Sequence, residues 1–253
     1  MATFLKPLGL PASITMPCED AMLILKYAHL SSSSLLKSFE RSRKERGNPR
    51  GTTTDEEQDL LRAMLVMAGA GLDAMAKQLI ADSLPVLVIH DVKVRGGLEK
   101  FIERRISSST EGIDMASGAR FLARALSDRS PQSQLVEDYI VELTGGSLQA
   151  VEGLHRVCQA LGLSSAEAHI DKTKMAQVFK VRNRIIHEFD MDVTGNRRKR
   201  IQRRQADMIS HVEALFHIAE EILKEINTKL EQTEAPEAPA LTRKANRSIL
   251  RRG

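Results

Sequence analysis

A short stretch of the chain, residues 181–190 (VRNRIIHEFD), holds side chains whose types and spacing suit acid–base chemistry on a phosphate. Asn183 and His187 are four residues apart, so they share one face of a helix. Arg182 lies five residues before His187, and its long side chain can reach the same edge. An imidazole titrates at about 6.5, and a guanidinium binds phosphate oxygens. This set predicts phosphodiester chemistry, with Arg182, Asn183 and His187 as the catalytic residues.

The same spacing also fits a simpler interpretation, an amphipathic helix whose polar residues form surface ion pairs. Arg184 and Glu188 are four residues apart and would form such a pair. A single copy of the motif also lacks a second acid–base group. A symmetric dimer that brings two copies of the helix together would supply it.

Other motifs with known chemistry are absent from the sequence. It has no GxxxxGK[ST] phosphate loop, no dinucleotide-binding glycine pattern, no HExxH zinc motif and no GxSxG nucleophile elbow. Cys18 and Cys158 are far apart and have no metal-ligand spacing. We therefore expect no cofactor, no metal site and no disulfide scaffold.

The composition and the apolar spacing predict an all-α helical bundle. Only 4% of the residues are aromatic and none is Trp, so strand-forming residues are scarce. Thr54 and Glu57 have capping-box spacing and precede an apolar stripe over residues 61–79, which predicts a helix that Pro85 ends. Gly69 and Gly71 within this helix predict the close approach of another helix.

The pattern of apolar residues predicts shorter helices in the rest of the chain, and the chain as a whole divides into three predicted regions. A first helix begins near Glu19, with the serines of residues 31–34 weakening it, and residues 86–89 form a short extended piece. Further helices are expected near residues 98–106, 115–126, 135–143, 148–161, 171–188 and 200–230. The regions are an N-terminal helical extension with a basic linker (1–53), a helical domain (54–232) and a disordered basic tail (233–253).

The distribution of charge is more informative than its sum. Lys and Arg number 37 against 33 Asp and Glu, a net charge of +4. Residues 41–50, 197–204 and 233–253 are basic clusters on an otherwise acidic body. The middle cluster begins ten residues after His187 and can guide a phosphate backbone, although charge runs are commonly only solvated. The candidate RNA-binding residues are Arg184, Arg197, Arg198, Lys199, Arg200, Arg203 and Arg204.

Nothing in the sequence predicts a membrane or an export signal. No run approaches 18 uninterrupted apolar residues. The first 17 residues carry three prolines and one Lys, which is unlike a signal peptide. Two widely separated cysteines also fit a reducing compartment. We expect a cytoplasmic protein.

Two segments resemble a known family. The pattern Arg182-Asn183-x-x-x-His187 resembles the RxxxxH motif of the HEPN superfamily. The helix over residues 60–80 resembles the N-terminal helix of its RiboL-PSP branch, with Arg62 and the step at residues 72–74 in the expected places. The resemblance implies an all-α, HEPN-like bundle, commonly a homodimer in which two RxxxxH motifs face a shared cleft.

The resemblance also implies a function, a metal-independent endoribonuclease that acts as a toxin or as an anti-phage defence effector. His187 would be the general acid and base, Arg182 would stabilise the transition-state charge, and Asn183 would orient His187 or the phosphate. Asp73 and Glu188 are supporting residues. The implied partners are RNA, a second copy of the chain and an antitoxin or defence-system protein. The alternatives are a non-catalytic HEPN-like module that binds RNA, a nucleotide or a protein, and a helical scaffold.

Overall fold

The computed structural model describes residues 4–47, 51–107, 115–127, 130–193 and 198–233, and over these ranges the chain is all-α, as predicted. A short 3₁₀ turn at Met16–Cys18 precedes the first helix. The helices are α1 (Glu19–Glu45), α2 (Asp55–His90), α3 (Val92–Ser107), α4 (Met115–Ser127), α5 (Pro131–Thr144), α6 (Val151–Ala160), α7 (Ser164–Ala168), α8 (Lys172–Glu188) and α9 (Gln205–Gln232). Strands β1 (Met191–Asp192) and β2 (Lys199–Arg200) form a small antiparallel hairpin between α8 and α9.

Helix α2 is the central element of the bundle. The predicted capping box is confirmed, because Glu57 N donates to Thr54 Oγ1 at 3.2 Å and Thr54 N donates to Glu57 Oε2 at 3.0 Å. These two bonds satisfy amide groups that have no partner inside the helix. Leu61, Leu72 and Leu79, from the predicted apolar stripe, are buried in the core.

The close approach predicted at the glycines of α2 is confirmed at Gly71. A Cβ added there would lie 2.2 Å from Cβ of Ala28, so α1 crosses α2 where neither helix has a bulky side chain. Leu25 and Phe39 of α1 are fully buried in the same core as the residues of α2. Residues 19–45 are therefore packed together with the predicted helical domain, and the exact domain boundaries stay a prediction.

The prediction that Pro85 ends the helix is wrong. Helix α2 continues through Pro85 to His90, so the short extended piece predicted at residues 86–89 is also helical. Proline removes one backbone hydrogen bond and costs a helix interior about 3 kcal/mol. Leu84 and Leu87 on either side are fully buried. Packing of this last turn against the core outweighs the lost bond.

By length and apolar composition, α2 also meets the criteria for a membrane-spanning helix. Its most apolar window has a mean hydropathy of 1.3, and 56% of that window is buried inside the bundle. The core helix of a globular protein meets the same criteria, so this observation does not place the chain in a membrane.

Three further sequence-based expectations differ from the structure. The serines of residues 31–34 do not interrupt α1, because Ser32 is buried and its hydroxyl donates to the carbonyl of Met64 at 3.3 Å. The last helix begins at Gln205 rather than near residue 200, since residues 199–200 pair with β1. Helix α7 was not predicted. The predicted disordered tail lies outside the described residues, apart from Thr233.

Candidate functional site

The RNxxxH motif lies in the second half of α8. Asp171 caps this helix by accepting from the Lys174 amide at 3.0 Å. The core-facing side carries Met175, Val178 and Phe179, which are all buried. The opposite side is exposed and carries Ala176, Lys180, Asn183 and His187, spaced by three and four residues. Packing of the apolar side therefore turns Asn183 and His187 outward together.

Asn183 and His187 line a cleft of about 510 Å³, which we call the His187 cleft. One wall is α8. The other wall is the segment of residues 149–152, where the loop after α5 enters α6. Arg184 and Glu188 line the same cleft and form an ion pair of 3.4 Å with each other. The structure thus brings four of the five polar residues of the motif to one surface.

Arg182 lies at the inner edge of this surface, between α8 and α2. Its Nη1 donates to Oδ1 of Asn183 at 2.9 Å, so the guanidinium contacts the amide that lines the cleft. A Cβ added at Gly69 would lie 3.8 Å from Cγ of Arg182, so the glycine leaves room for the arginine. Burial lowers the pKa of Arg182, and the carboxylate of Asp73 acts in the opposite direction. Arginine nonetheless stays charged.

Asp73 supports the site from behind. Its Oδ1 accepts from the amide of Leu148 at 2.7 Å, and its Oδ2 pairs with Lys77 at 2.9 Å. The first bond anchors the loop that leads into Gln149, which is a wall residue of the His187 cleft. Asp73 therefore fixes the wall opposite α8 and adds a negative charge near Arg182.

Two polar groups next to Gly69 are buried and have no hydrogen-bond partner. They are Oε1 of Gln149 and Nε of Arg182. A Cβ added at Gly69 would lie 3.3 Å from the first and 3.9 Å from the second. Buried polar groups are nearly always hydrogen-bonded, so an unsatisfied acceptor and donor beside the cleft indicate a site for a polar ligand or water.

The turn after α8 is fixed by a buried ion cluster. Phe189 and Asp190 both have positive φ (52° and 57°), and the Asp190 amide donates to the Arg184 carbonyl at 3.0 Å. The Asp190 side chain is fully buried and accepts from Arg62 Nε at 3.1 Å and from Arg203 Nε at 3.0 Å. Burial raises the pKa of Asp190, but these hydrogen bonds outweigh it and hold the pKa below its ordinary range.

The predicted RNA-binding residues that follow α8 and are described by the structure fall into two groups. Arg200 and Arg203 bind carboxylates within the chain, namely Asp59 at 2.6 Å and Asp190. The hydrogen bond with Asp59 is the main reason that the pKa of Arg200 is raised. Arg198, Lys199 and Arg204 are exposed and have no ion-pair partner within the described chain. Arg197 lies outside the described residues.

Of the basic residues that the structure describes after α8, none lines the His187 cleft, whereas Arg184 does. Arg184 is also the link between the two regions, because its Nη2 donates to the Met191 carbonyl at 3.1 Å. Strand β1 is thereby held against the end of the helix that carries His187. The exposed cations of the hairpin lie next along the chain.

The sequence-based prediction missed Lys180, Gln149 and Asp190, and with Asp190 its contact with Arg62. Lys180 is three residues before Asn183 and seven before His187, so helical spacing alone could have identified it. Gln149 comes from another element, and no local pattern indicates it. The Asp190–Arg62 pair joins residues 128 positions apart, so it too has no local signal.

Within the described ranges, no three His, Cys, Asp or Glu side chains are grouped closely enough to hold a metal ion. No protein-family model matches the chain, and no curated protein or solved structure is significantly similar to it. The interpretation of the site therefore depends on its own geometry and on the resemblance of the two helical segments.

Proposed function

We propose that the chain is a HEPN-type endoribonuclease that cleaves RNA without a metal ion. The observation that carries the proposal is the arrangement of Arg182, Asn183 and His187. The guanidinium contacts the amide at 2.9 Å, and the amide and the imidazole line the same cleft. A hydrogen-bonding group and a proton carrier therefore share one cleft, and a fixed cation contacts the first of them from the inner side of α8.

On this proposal, His187 removes the proton from a ribose 2′-hydroxyl. The 2′ oxygen then attacks the adjacent phosphorus, and the bond from phosphorus to the 5′ oxygen breaks. The products are a 2′,3′-cyclic phosphate and a 5′-hydroxyl. Arg182 stabilises the added negative charge on the phosphate oxygens, and Asn183 holds the guanidinium in place. Dependence on the 2′-hydroxyl makes RNA, not DNA, the substrate.

The departing 5′ oxygen needs a proton, and a homodimer offers the simplest source. Two copies of α8 facing a shared cleft would place His187 of the partner subunit on the leaving-group side. The exposure of the polar face of α8 supports this arrangement, because no other described element covers it. Light scattering of the purified protein measures whether it is a dimer.

The test is RNA cleavage in EDTA by the wild type and by His187→Ala and Arg182→Ala. Each variant has a matched control: His217→Ala on the exposed surface of α9, and Arg124→Ala on α4. The proposal expects loss of cleavage in the first two variants and wild-type rates in the controls. Cleavage that survives in both site variants, with fold and dimer intact, contradicts these roles.

The growth effect of the protein tests the biological part of the proposal, a toxin or defence effector. Expression of the wild type should slow bacterial growth, and expression of His187→Ala to the same level should not. Normal growth with active wild-type nuclease would remove the toxin role and leave the ribonuclease in place.

A non-catalytic module that binds RNA is the second candidate. The exposed and unpaired Arg198, Lys199 and Arg204 favour it, because cations free of carboxylate partners are available to phosphates. It predicts retention of labelled RNA on a gel without product. It also predicts that neutralising these cations weakens retention more than His187→Ala does.

A further inference from the structure

A second cavity lies between α3, α5 and α6 and shares no lining residue with the His187 cleft. We call it the α3–α6 cavity. Its volume of about 780 Å³ is in the range of small-molecule sites, roughly 300–1,000 Å³. Four cationic residues and two carboxylates are among its lining residues.

Three of the four cations are free. Lys93, Lys100 and Arg156 are exposed at the cavity and have no carboxylate partner among the residues that the structure describes. They come from two helices, α3 and α6, that face each other across the opening. Cations that are not neutralised within the chain attract an anion.

Both carboxylates of the cavity are already engaged. Glu142 accepts from Arg104 and from Arg105, the latter at 3.1 Å. Glu167 contacts Nδ1 of His155 at 2.9 Å. The lining cations outnumber the lining carboxylates by four to two, so the cavity keeps a positive surplus.

Two adjacent glycines in α3 form part of the wall. Glycine weakens a helix interior, so its presence there needs a reason. A Cβ added at Gly96 would meet nothing within 4 Å, so close packing does not require this glycine. A Cβ added at Gly97 would lie 3.1 Å from the hydroxyl of Tyr139. The missing side chain at Gly96 therefore leaves room for a ligand to approach the backbone of α3 closely.

Tyr139 adds a hydrogen-bond donor to this wall. The residue is only 6% exposed, and its hydroxyl has no hydrogen-bond partner within the described chain. Burial is the main cause that raises its pKa, so the hydroxyl stays protonated. The hydroxyl oxygen is not among the buried polar atoms that lack a partner, so it is accessible from the cavity and can donate to a ligand oxygen there.

We propose that the α3–α6 cavity binds a small ligand with two or more phosphate groups. Lys93, Lys100 and Arg156 bind the phosphates, Tyr139 donates to a phosphate oxygen, and Gly96 makes room beside α3. Two linked phosphates fit the geometry better than one, because the free cations lie on two facing helices. The site is independent of RNA cleavage.

Calorimetric titration with inorganic pyrophosphate at about 0.15 M salt tests the proposal. The variants are Lys100→Glu, which reverses one free cation, and Gly96→Leu, which fills the space beside α3. The matched control is Lys26→Glu, the same charge change at an exposed position of α1. We expect one saturable site in the wild type and in the control, and at least about tenfold weaker binding in both cavity variants.

Gly96→Ala separates a blocked site from a damaged fold. Alanine forms helix better than glycine, so this variant should melt at a higher temperature than the wild type without ligand. Its gain from added pyrophosphate should nevertheless be smaller than that of the wild type. Absence of saturable binding to the wild type overturns the proposal. The proposal is also overturned if both cavity variants bind pyrophosphate as tightly as the wild type. It is overturned as well if Lys26→Glu weakens binding as much as the cavity variants do.

Discussion

Arg62 and Asp190 are 128 residues apart in the chain and form a buried ion pair, with Arg62 Nε 3.1 Å from Asp190 Oδ2. Arg62 belongs to the central helix α2, and Asp190 follows the last turn of α8. Arg203, just before α9, binds the same carboxylate. This contact fixes the end of α8, and with it the position of His187, against the core of the bundle.

Removal of the charge at Asp190 should strongly destabilise the protein. Asp190→Asn leaves Arg62 and Arg203 without their shared carboxylate, and breaking a buried ion pair costs about 3–5 kcal/mol. Urea denaturation measures the change. The control is Glu188→Gln, which removes a 63% exposed carboxylate from its pair with Arg184 and should cost less than about 1 kcal/mol. Equal losses in the two variants would contradict the role of Asp190.

The same carboxylate should make stability depend on pH in the acid range. The pKa of Asp190 is lower in the folded chain than in the unfolded one, so the folded state binds its proton less readily. Its contribution is therefore present above about pH 4 and is lost as the pH falls through the folded pKa. Urea titrations at several pH values should show the deficit of Asp190→Asn shrinking below about pH 4. A deficit that is constant down to pH 2 would refute this.

Two glycines in helices should respond in opposite directions to the same substitution. Gly71→Ala places a Cβ 2.2 Å from Cβ of Ala28, so we expect a loss of about 1–3 kcal/mol from overpacking. Gly96→Ala meets nothing within 4 Å and should gain up to about 1 kcal/mol from helix propensity. Thermal and urea unfolding of the two variants measure both changes. Stabilisation by Gly71→Ala would show that α1 and α2 are not in close contact there.

Some basic residues near the hairpin should contribute to RNA binding, and others should contribute to stability. Neutralising the exposed Arg198 and Lys199 should weaken RNA binding and lower the slope of log affinity against log salt by about 0.7 per lost phosphate contact. Unfolding should be unaffected. Arg203→Gln should instead lower the stability, because Arg203 binds Asp190. Fluorescence titration at several salt concentrations, beside thermal unfolding, distinguishes these outcomes. If Arg203→Gln weakened only RNA binding, or if neutralising Arg198 and Lys199 lowered the stability, the division into paired and free cations would be wrong.

Both thiols should be unreactive in the folded protein. Burial raises the pKa of Cys18 to about 11 and that of Cys158 to about 12, so neither forms much thiolate at neutral pH. A disulfide-exchange reagent such as DTNB should label neither cysteine in buffer and both in denaturant. Rapid labelling of the native protein would contradict the burial of these residues.

Local patterns in the sequence predicted much of the fold. Thr54 and Glu57 identified the start of α2, because a capping box involves only neighbouring residues. The prediction from Pro85 was wrong, because the free energy that proline costs a helix is smaller than the free energy gained by burying the last turn of α2 between core residues. The prediction that Ser32 and its neighbours weaken α1 was wrong for a similar reason. The Ser32 hydroxyl donates a hydrogen bond to the Met64 carbonyl on another helix.

The candidate site was predictable where it lies on one helix. The spacing of Asn183 and His187 identifies their shared face, and the same spacing extends to Lys180. Gln149 and Asp190 were not predictable, because their positions depend on contacts between elements far apart in the chain. Such contacts leave no periodic signal in a single sequence.

The most direct test of the central claim is the chemistry of the cleaved ends. A short RNA incubated with the wild type in EDTA is analysed by mass spectrometry, beside the same RNA carrying a single 2′-deoxyribose at the cleaved position. We expect a 2′,3′-cyclic phosphate and a 5′-hydroxyl from the RNA, no cleavage at the deoxyribose, and no products with His187→Ala. A 5′-phosphate product, cleavage at the deoxyribose, or RNA left intact by the wild type would contradict the claim.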